Sequence, residues 1–350
     1  METRIPVGIL GATGMVGQHF VKFLQNHPWF EIAWVAASDR SAGKPYREAT
    51  AWRLDGLMPS GVEQMKVDEC KTGNGAPRLV FSAMDASVAT EIERAFAQAG
   101  HVVVSNSRNH RMEPDVPLLI PEVNPDHLKI IPLQQRRRGW KGQIATNPNC
   151  STIVLAMALA PLKQFGIRRV VATTMQAISG AGYPGVASMD INANVIPFIG
   201  SEEEKMQQET QKILGDFTGE AIQPLAAKVS AHCNRVPVVD GHMVATSVEL
   251  ERKPKLDELI QALDSFRSVP QQRNLPSAPE RPVQYMEAPD RPQPRRDVER
   301  DHGMAVYVGR LRECPALDYK FIALGHNTIR GAAGAAVLNA ELMYSEGLLD

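Results

Sequence analysis

Between residues 7 and 147 the chain alternates short apolar runs with stretches whose apolar positions recur at helical spacing. The runs at 7–10, 32–37, 79–83, 102–105 and, more weakly, 144–146 have the length of buried strands, whereas 16–26 and 86–99 are spaced as helices. This alternation predicts a doubly wound parallel sheet, because a parallel crossover needs a helix to carry the chain back. After residue 150 the texture changes to one apolar helix and then β-rich stretches at 170–178, 231–239 and 243–251. Asp240-Gly241 between the last two predicts a two-residue hairpin turn, so the second half is expected to be α+β with a mixed or antiparallel sheet. A closing helix over 327–342, with Gly331, Gly334 and Ala335 on one face and Asn327-Thr328 as capping side chains, is expected to pack back onto the first half. Residues 270–300 are rich in proline and arginine, lack periodicity and read as a long surface excursion.

A length of 350 residues lies near the limit of a single core, which favours two domains: 1–149, completed by 325–350, and 150–324. With 38 basic and 39 acidic side chains there is no global field to draw the protein onto nucleic acid or an anionic membrane. The arginines within 134–142 therefore read as a solvated loop. The longest apolar run, 153–162, is about half of what a membrane span needs and contains Pro161. The N-terminus passes from Arg4 into a strand without the features of a secretory signal, so a cytoplasmic protein is expected. Cys70, Cys150, Cys233 and Cys314 are scattered without a C-x-x-C pair, which predicts neither a metal site nor a disulfide framework.

Gly11-Ala12-Thr13-Gly14-Met15-Val16-Gly17 follows the first strand and opens a helix. There free backbone N–H groups and a positive helix end meet a pyrophosphate, as in a Rossmann-type domain. The second strand ends in Ser38-Asp39-Arg40-Ser41. Ser38, Arg40 and Ser41 together suit the extra phosphate of NADP, while Asp39 is the carboxylate that NAD would prefer.

Asn147-Pro148-Asn149-Cys150 leads into the apolar helix and puts the Cys150 sulfur where orphan N–H groups favour a thiolate. Cys70 and Cys314 fit core cysteines better. A nucleophilic thiol needs a proton acceptor, and His232 and His242 are the candidates, with Arg235 on the His242 face of the expected hairpin. Ser201 and Glu204 have the spacing of a capping box, leaving Glu202 and Lys205 on one helical face for an ammonium group and a phosphate. Ser179-Gly180-Ala181-Gly182 is a second loop suited to close backbone approach.

Taken together, the glycine turn, Ser105-Asn106, His110-Arg111-Met112, 118–124, 147–152, Gly180-Ala181-Gly182, 196–206, 234–242 and 325–341 make the chain resemble aspartate-β-semialdehyde dehydrogenases of the branch shared by archaea and fungi. The resemblance implies a Cys150 nucleophile and a His242 acid/base. It places Arg235 on the substrate carboxylate, Glu202 on its ammonium and Gln176 beside the thiol, with Arg111, Asn149 and Lys205 gripping phosphate. The cofactor contacts expected on all these grounds are Gly11, Ala12, Thr13, Gly14, Met15, Val16, Ser38, Arg40, Ser41, Ser82, Ser105, Asn106, Gly180, Gly182, Asn327 and Thr328. The implied reaction is NADPH-dependent reductive dephosphorylation of L-aspartyl-4-phosphate, on the route to lysine, threonine and methionine. The implied assembly is a homodimer or homotetramer joined through the second domain, with 270–300 expected in the interface. Rival readings are an acyl-CoA reductase, an N-acetyl-glutamyl-phosphate reductase and a non-catalytic NADP-binding regulator. Glu202 argues against the first two, whose substrates offer no ammonium.

Overall fold

Strands β1 (Ile5–Leu10), β2 (Phe30–Ala37), β3 (Val67–Glu69), β4 (Leu79–Ser82), β5 (Val102–Ser105) and β6 (Gln143–Thr146) form an all-parallel sheet in the order β3-β2-β1-β4-β5-β6. The computed structural model describes residues 4–349, so the outermost residues of two expected ranges, 1–3 and 350, lie outside the described residues. Alternate side chains supply the two faces, as a sheet covered on both sides requires. Val7, Ile9, Phe81 and Val104 enter one core, and Leu10, Val80, Val103 and Ile144 the other. Helix α1 (Met15–Phe23) leaves β1, and α2 (Ala86–Ala99) leaves β4. Asp85 caps α2 by accepting the Ser87 N–H at 2.8 Å, and left-handed Gly100 ends it. Strand order reverses between β1 and β4, which opens a crevice at their carboxyl ends. The sequence pattern missed β3, which has only three residues.

The bridge to the second half is α3 (Cys150–Leu159), buried from Ser151 to Leu159 because it is apolar on every side. Strands β7 (Ile167–Gln176), β8 (Lys228–Arg235), β9 (His242–Leu250), β10 (Val283–Met286), β11 (Val306–Glu313) and β12 (Tyr319–Gly325) form a mixed sheet in the order β8-β7-β9-β12-β11-β10. The expected hairpin is absent: β7 lies between β8 and β9, parallel to the first and antiparallel to the second. Local turn chemistry at Asp240-Gly241 reports a reversal, but the ladder partner is set by a strand some 60 residues away in sequence.

Three further expectations are corrected. Residues 270–300 are not a surface excursion. Leu275 enters the first-sheet core, Val283 starts β10, the Ser277 N–H donates to Glu341 Oε1 and Oε2 (3.1 and 3.0 Å), and buried Asp297 accepts from Arg291 Nε at 2.7 Å. Polar long-range partners of this kind leave no periodic trace. The capping box before α4 (Glu202–Ile213) does not form, because Ser201 is left-handed (φ 55°) and its Oγ donates to Gly200 O at 2.8 Å. Asn327 and Thr328 do not cap the closing helix. That segment begins with a π-helical turn, Ile329–Ala333, running into α5 (Gly334–Ser345), and the Asn327 side chain is engaged elsewhere. Helix α5 does pack against the first sheet, with Val337, Leu338 and Leu342 in the core of Val7 and Phe81. Among the described residues no helix is long and apolar enough to cross a membrane.

Candidate active site

Cys150 is the first residue of α3 and Asn149 its cap, whose Oδ1 accepts the N–H groups of Ser151 (3.0 Å) and Thr152 (3.2 Å). The Asn149 N–H donates to Glu209 Oε2 at 2.6 Å, so the helix start is held from both directions. The π-helical turn presses on the thiol: a Cβ at Gly331 would lie 2.7 Å from Cys150 Cβ, a space only glycine leaves open. Cys150 as a residue is half-buried. Burial, and after it the carboxylate of Glu202, pushes the thiol up to about 12, against the pull of Arg111, Arg235 and the Ser151 N–H. The resting group is therefore a thiol, not the thiolate expected from its place at a helix start. Desolvation costs the anion more than the helix end returns.

Four elements converge around it. Glu202, at the start of α4, accepts from Asn149 Nδ2 (2.8 Å) and Gln176 Nε2 (3.3 Å) on Oε2 and from Lys205 Nζ (2.8 Å) on Oε1. Burial would raise its pKa, but these donors outweigh burial and hold it below the ordinary value. Gln176 ends β7, Arg235 ends β8 and His242 begins β9, and a Cβ at Gly180 would lie 2.9 Å from Arg235 Nη1 and from His242 Nε2. Of the two candidate bases only His242 belongs here; His232 is exposed on the opposite face of β8. His242 Nδ1 accepts the Ala177 N–H at 3.0 Å, which leaves the ring proton on Nε2, a buried nitrogen with no partner among the described residues. Burial, followed by Arg235, lowers the imidazole to about 3, so it is neutral at physiological pH.

Sequence reasoning missed the rest of this frame. Glu209 bridges Asn149 to Arg111, whose Nη1 donates to Oε1 at 3.0 Å, while the Arg111 Nε is buried and unpartnered. Lys212 Nζ donates to the carbonyls of Arg111 (2.7 Å), Glu113 and Val116 (both 2.8 Å), and burial lowers it to about 8. Residues 202, 205, 209 and 212 form one stripe of α4, a spacing visible in the sequence but ordinarily that of a solvated face. Arg111 and Lys205 line one cavity of about 350 Å³.

The crevice above β1 and β4 is a second cavity, of about 890 Å³, walled by the glycine turn, Ser38, Asp39 and Gly182. Gly11 (φ 76°) permits the turn, and Gly17 lets α1 close on it, since a Cβ there would lie 2.3 Å from Gly11 O. Cys70, expected in the core, is half-buried on this wall, together with Arg53, Lys71 and Tyr183. Several expected contacts lie elsewhere. Arg40 and Ser41 are off the wall, and Gly180 faces Arg235 and His242 instead. Ser82 and Ser105 are fully buried and donate to Glu93 Oε1 (2.5 and 2.7 Å), so their hydroxyls are spent. Asn106 Oδ1 accepts from Asn147 Nδ2 at 2.8 Å. Asn327 donates to Ser179 Oγ (2.7 Å) and accepts the Gly241 N–H (2.8 Å), while Thr328 is buried beside His326. Among the described residues no group of three or more His, Cys, Asp or Glu side chains could hold a metal ion.

Residues 6–131 match the family model described as semialdehyde dehydrogenase, NAD binding domain, and residues 159–330 that described as semialdehyde dehydrogenase, dimerisation domain. The chain is 52% identical over 343 residues to the aspartate-semialdehyde dehydrogenase of Methanothermobacter thermautotrophicus, covering 97% of this chain and 99% of the relative. It is 47% identical over 352 residues to that of Schizosaccharomyces pombe, covering 98% and 99%. Among solved structures, aspartate semialdehyde dehydrogenase with NADP from Candida albicans superposes with a TM-score of 0.92 at 42% identity, covering 99% of this chain and 100% of that one.

Proposed function

The chain belongs to the aspartate-semialdehyde dehydrogenase family, and from that premise we propose that it reduces L-aspartyl-4-phosphate to L-aspartate-4-semialdehyde with NADPH through a thioester on Cys150. The observation that carries this reading is the convergence on Glu202, where a buried carboxylate gathers the nucleophile's cap, Gln176 and Lys205 beside the thiol. A buried carboxylate suits a substrate ammonium, which malonyl-CoA and N-acetylglutamyl phosphate lack. The residues fit the dinucleotide: the crevice has a volume of about 890 Å³, and the glycine turn on its wall lets a pyrophosphate approach the backbone.

Arg235 holds the substrate carboxylate, and Gln176 steadies the acyl carbon over the sulfur. Arg111, through its free Nε, and Lys205, with Asn149 at the helix start, hold the phosphate. Because Lys205 is paired with Glu202, an arriving ammonium competes for Oε1 and frees Nζ for the phosphate. Sulfur attacks the acyl carbon, the carbon–oxygen bond to phosphate breaks, and the thiol proton departs with the phosphate. Bound NADPH supplies the hydride that reduces the thioester carbonyl. His242 keeps its proton at Nε2, from where it hydrogen-bonds the carbonyl oxygen as negative charge builds there; when that oxygen reforms the carbonyl and the carbon–sulfur bond breaks, the released sulfur takes up a proton from solvent and the thiol is restored. A neutral donor is what a lowered imidazole provides.

We read the chain as two domains, 1–149 with 325–350 and 150–324, a division supported by the two separate sheets and the packing of α5. A second copy suits the open face of the second sheet, where Val171, Met175, Met243 and Ile322 alternate with core residues, so we read the protein as a homo-oligomer joined there. Four free cysteines, one of them the nucleophile, suit the reducing cytoplasm. The decisive assay is phosphate-dependent reduction of NADP by L-aspartate semialdehyde, beside N-acetylglutamate semialdehyde and, in the reductive direction, malonyl-CoA. Turnover with aspartate semialdehyde alone, abolished in Cys150→Ser, is expected. Activity on malonyl-CoA, or a Cys150→Ser enzyme that still turns over, would refute the reading.

A further inference from the structure

Arg53 is fastened beside the glycine turn through its backbone. Its N–H donates to Gln18 Oε1 at 2.8 Å, and Gln18 Nε2 donates in turn to Ala51 O (3.1 Å) and Thr13 O (3.0 Å). Gln18 is a buried residue of α1, so one side chain ties residues 51–53 to the turn. The Arg53 guanidinium is exposed, makes no ion pair among the described residues, and lies 4.2 Å from the centroid of the Tyr183 ring. Tyr183 belongs to the loop that follows β7 in the other half of the chain, and both residues line the cavity of the glycine turn. The other cation on that wall, Lys71, is already paired with Glu69. A dinucleotide brings a doubly charged pyrophosphate to the start of α1, where the helix end supplies only about half a charge. The cavity therefore holds one uncommitted full positive charge, and it stands on the segment tied to the pyrophosphate turn.

We propose that Arg53 is a cofactor-binding residue that pairs with the pyrophosphate of NADP(H), and that its stacking on Tyr183 clasps the two halves of the chain across the bound dinucleotide. The two contacts are compatible. Stacking uses the flat face of the guanidinium, whereas hydrogen bonds to phosphate use its edge. Asp39, on the same wall, follows Ser38 just past the end of β2, where the sequence motif sets the ribose.

The proposal rests on the NADP reading above, and the test separates the two. NADPH and NADH are titrated by fluorescence into the full wild-type chain, Arg53→Ala, Arg53→Lys and Tyr183→Ala, with release of NADPH followed by stopped flow. Binding to wild type tests the cofactor reading without reference to Arg53, and a wild type that binds no NADPH refutes that reading. In Arg53→Ala the Kd should rise about tenfold or more, by the same factor for both nucleotides. Arg53→Lys should fall between, since it keeps the charge but loses the fork, and Tyr183→Ala should release NADPH faster. Wild-type affinity in Arg53→Ala, a loss confined to NADPH, or unchanged release from Tyr183→Ala would overturn the proposal.

Discussion

Replacing Gly180 by alanine should silence the enzyme while leaving it folded. The residue lies in the short turn Ile178–Ala181 after β7, is exposed, and has a φ outside the left-handed region, so its backbone accepts a side chain. An added Cβ would stand 2.9 Å from Arg235 Nη1, His242 Cε1 and His242 Nε2, whereas ordinary contact begins at 3.4 Å. All three atoms must therefore retreat by about half an ångström. Neither side chain is free to do so. Arg235 Nη1 donates to Ala177 O at 2.7 Å and His242 Nδ1 accepts the Ala177 N–H at 3.0 Å, so both are anchored to one residue. Misplacing reacting groups on this scale costs up to about 10²-fold in rate, or about 2.7 kcal/mol of transition-state stabilisation. On the stability side, local overpacking of about 1–3 kcal/mol is partly offset by about 0.4–1 kcal/mol from a stiffer unfolded chain. Steady-state kinetics with L-aspartate semialdehyde should show kcat/KM down about 10- to 100-fold. NADPH affinity should be unchanged, since the dinucleotide crevice is walled by Gly182 and not Gly180, and the melting temperature should shift by no more than a few degrees. A Gly180→Ala enzyme with wild-type kcat/KM would show that chemistry does not occur between Arg235 and His242.

The raised Cys150 thiol should make inactivation by iodoacetamide climb about tenfold per pH unit from pH 7 to 10 without a plateau. Glu202→Gln, which removes the charge that ranks after burial in holding the proton on sulfur, should be alkylated faster at pH 8; a plateau below pH 8 would contradict the resting thiol. Asn149→Ala loses a helix cap worth about 1 kcal/mol and a hydrogen bond to the Glu202 carboxylate worth about 1.5–3 kcal/mol. Its melting temperature should fall by about 3–5 °C, and a shift under about 1 °C would mean that the cap carries no load.

Periodicity located five of the six parallel strands, α2 to the residue and the glycine turn, because each is a local pattern with a local cause. It found Cys150 at a helix start, and it found His242 without being able to rank it above His232. His242 is distinguished from His232 by burial behind Ala177 and Gly180, which no spacing reports. Ser82 and Ser105 stand at strand ends as cofactor residues often do, yet they serve Glu93, a buried acid of α2 that the pattern places on a helix and nowhere else. The Pro/Arg-rich stretch at 270–300 failed for the same reason, since beside Leu275 and Val283 its order comes from contacts with Glu341, Asp264 and Asp297, which leave no periodic trace.

From residue order alone came the elements, the parallel character of the first sheet and the place of Cys150 at a helix start, all properties of segments a few residues to a few turns long. Tertiary structure decided which strand lies beside which, that the sulfur rests protonated, and that Glu209 and Lys212 brace the loop that carries Arg111. Those outcomes depend on desolvation and on charges that meet only when distant segments pack. The same sulfur at the start of a solvated helix would hold its proton far less tightly.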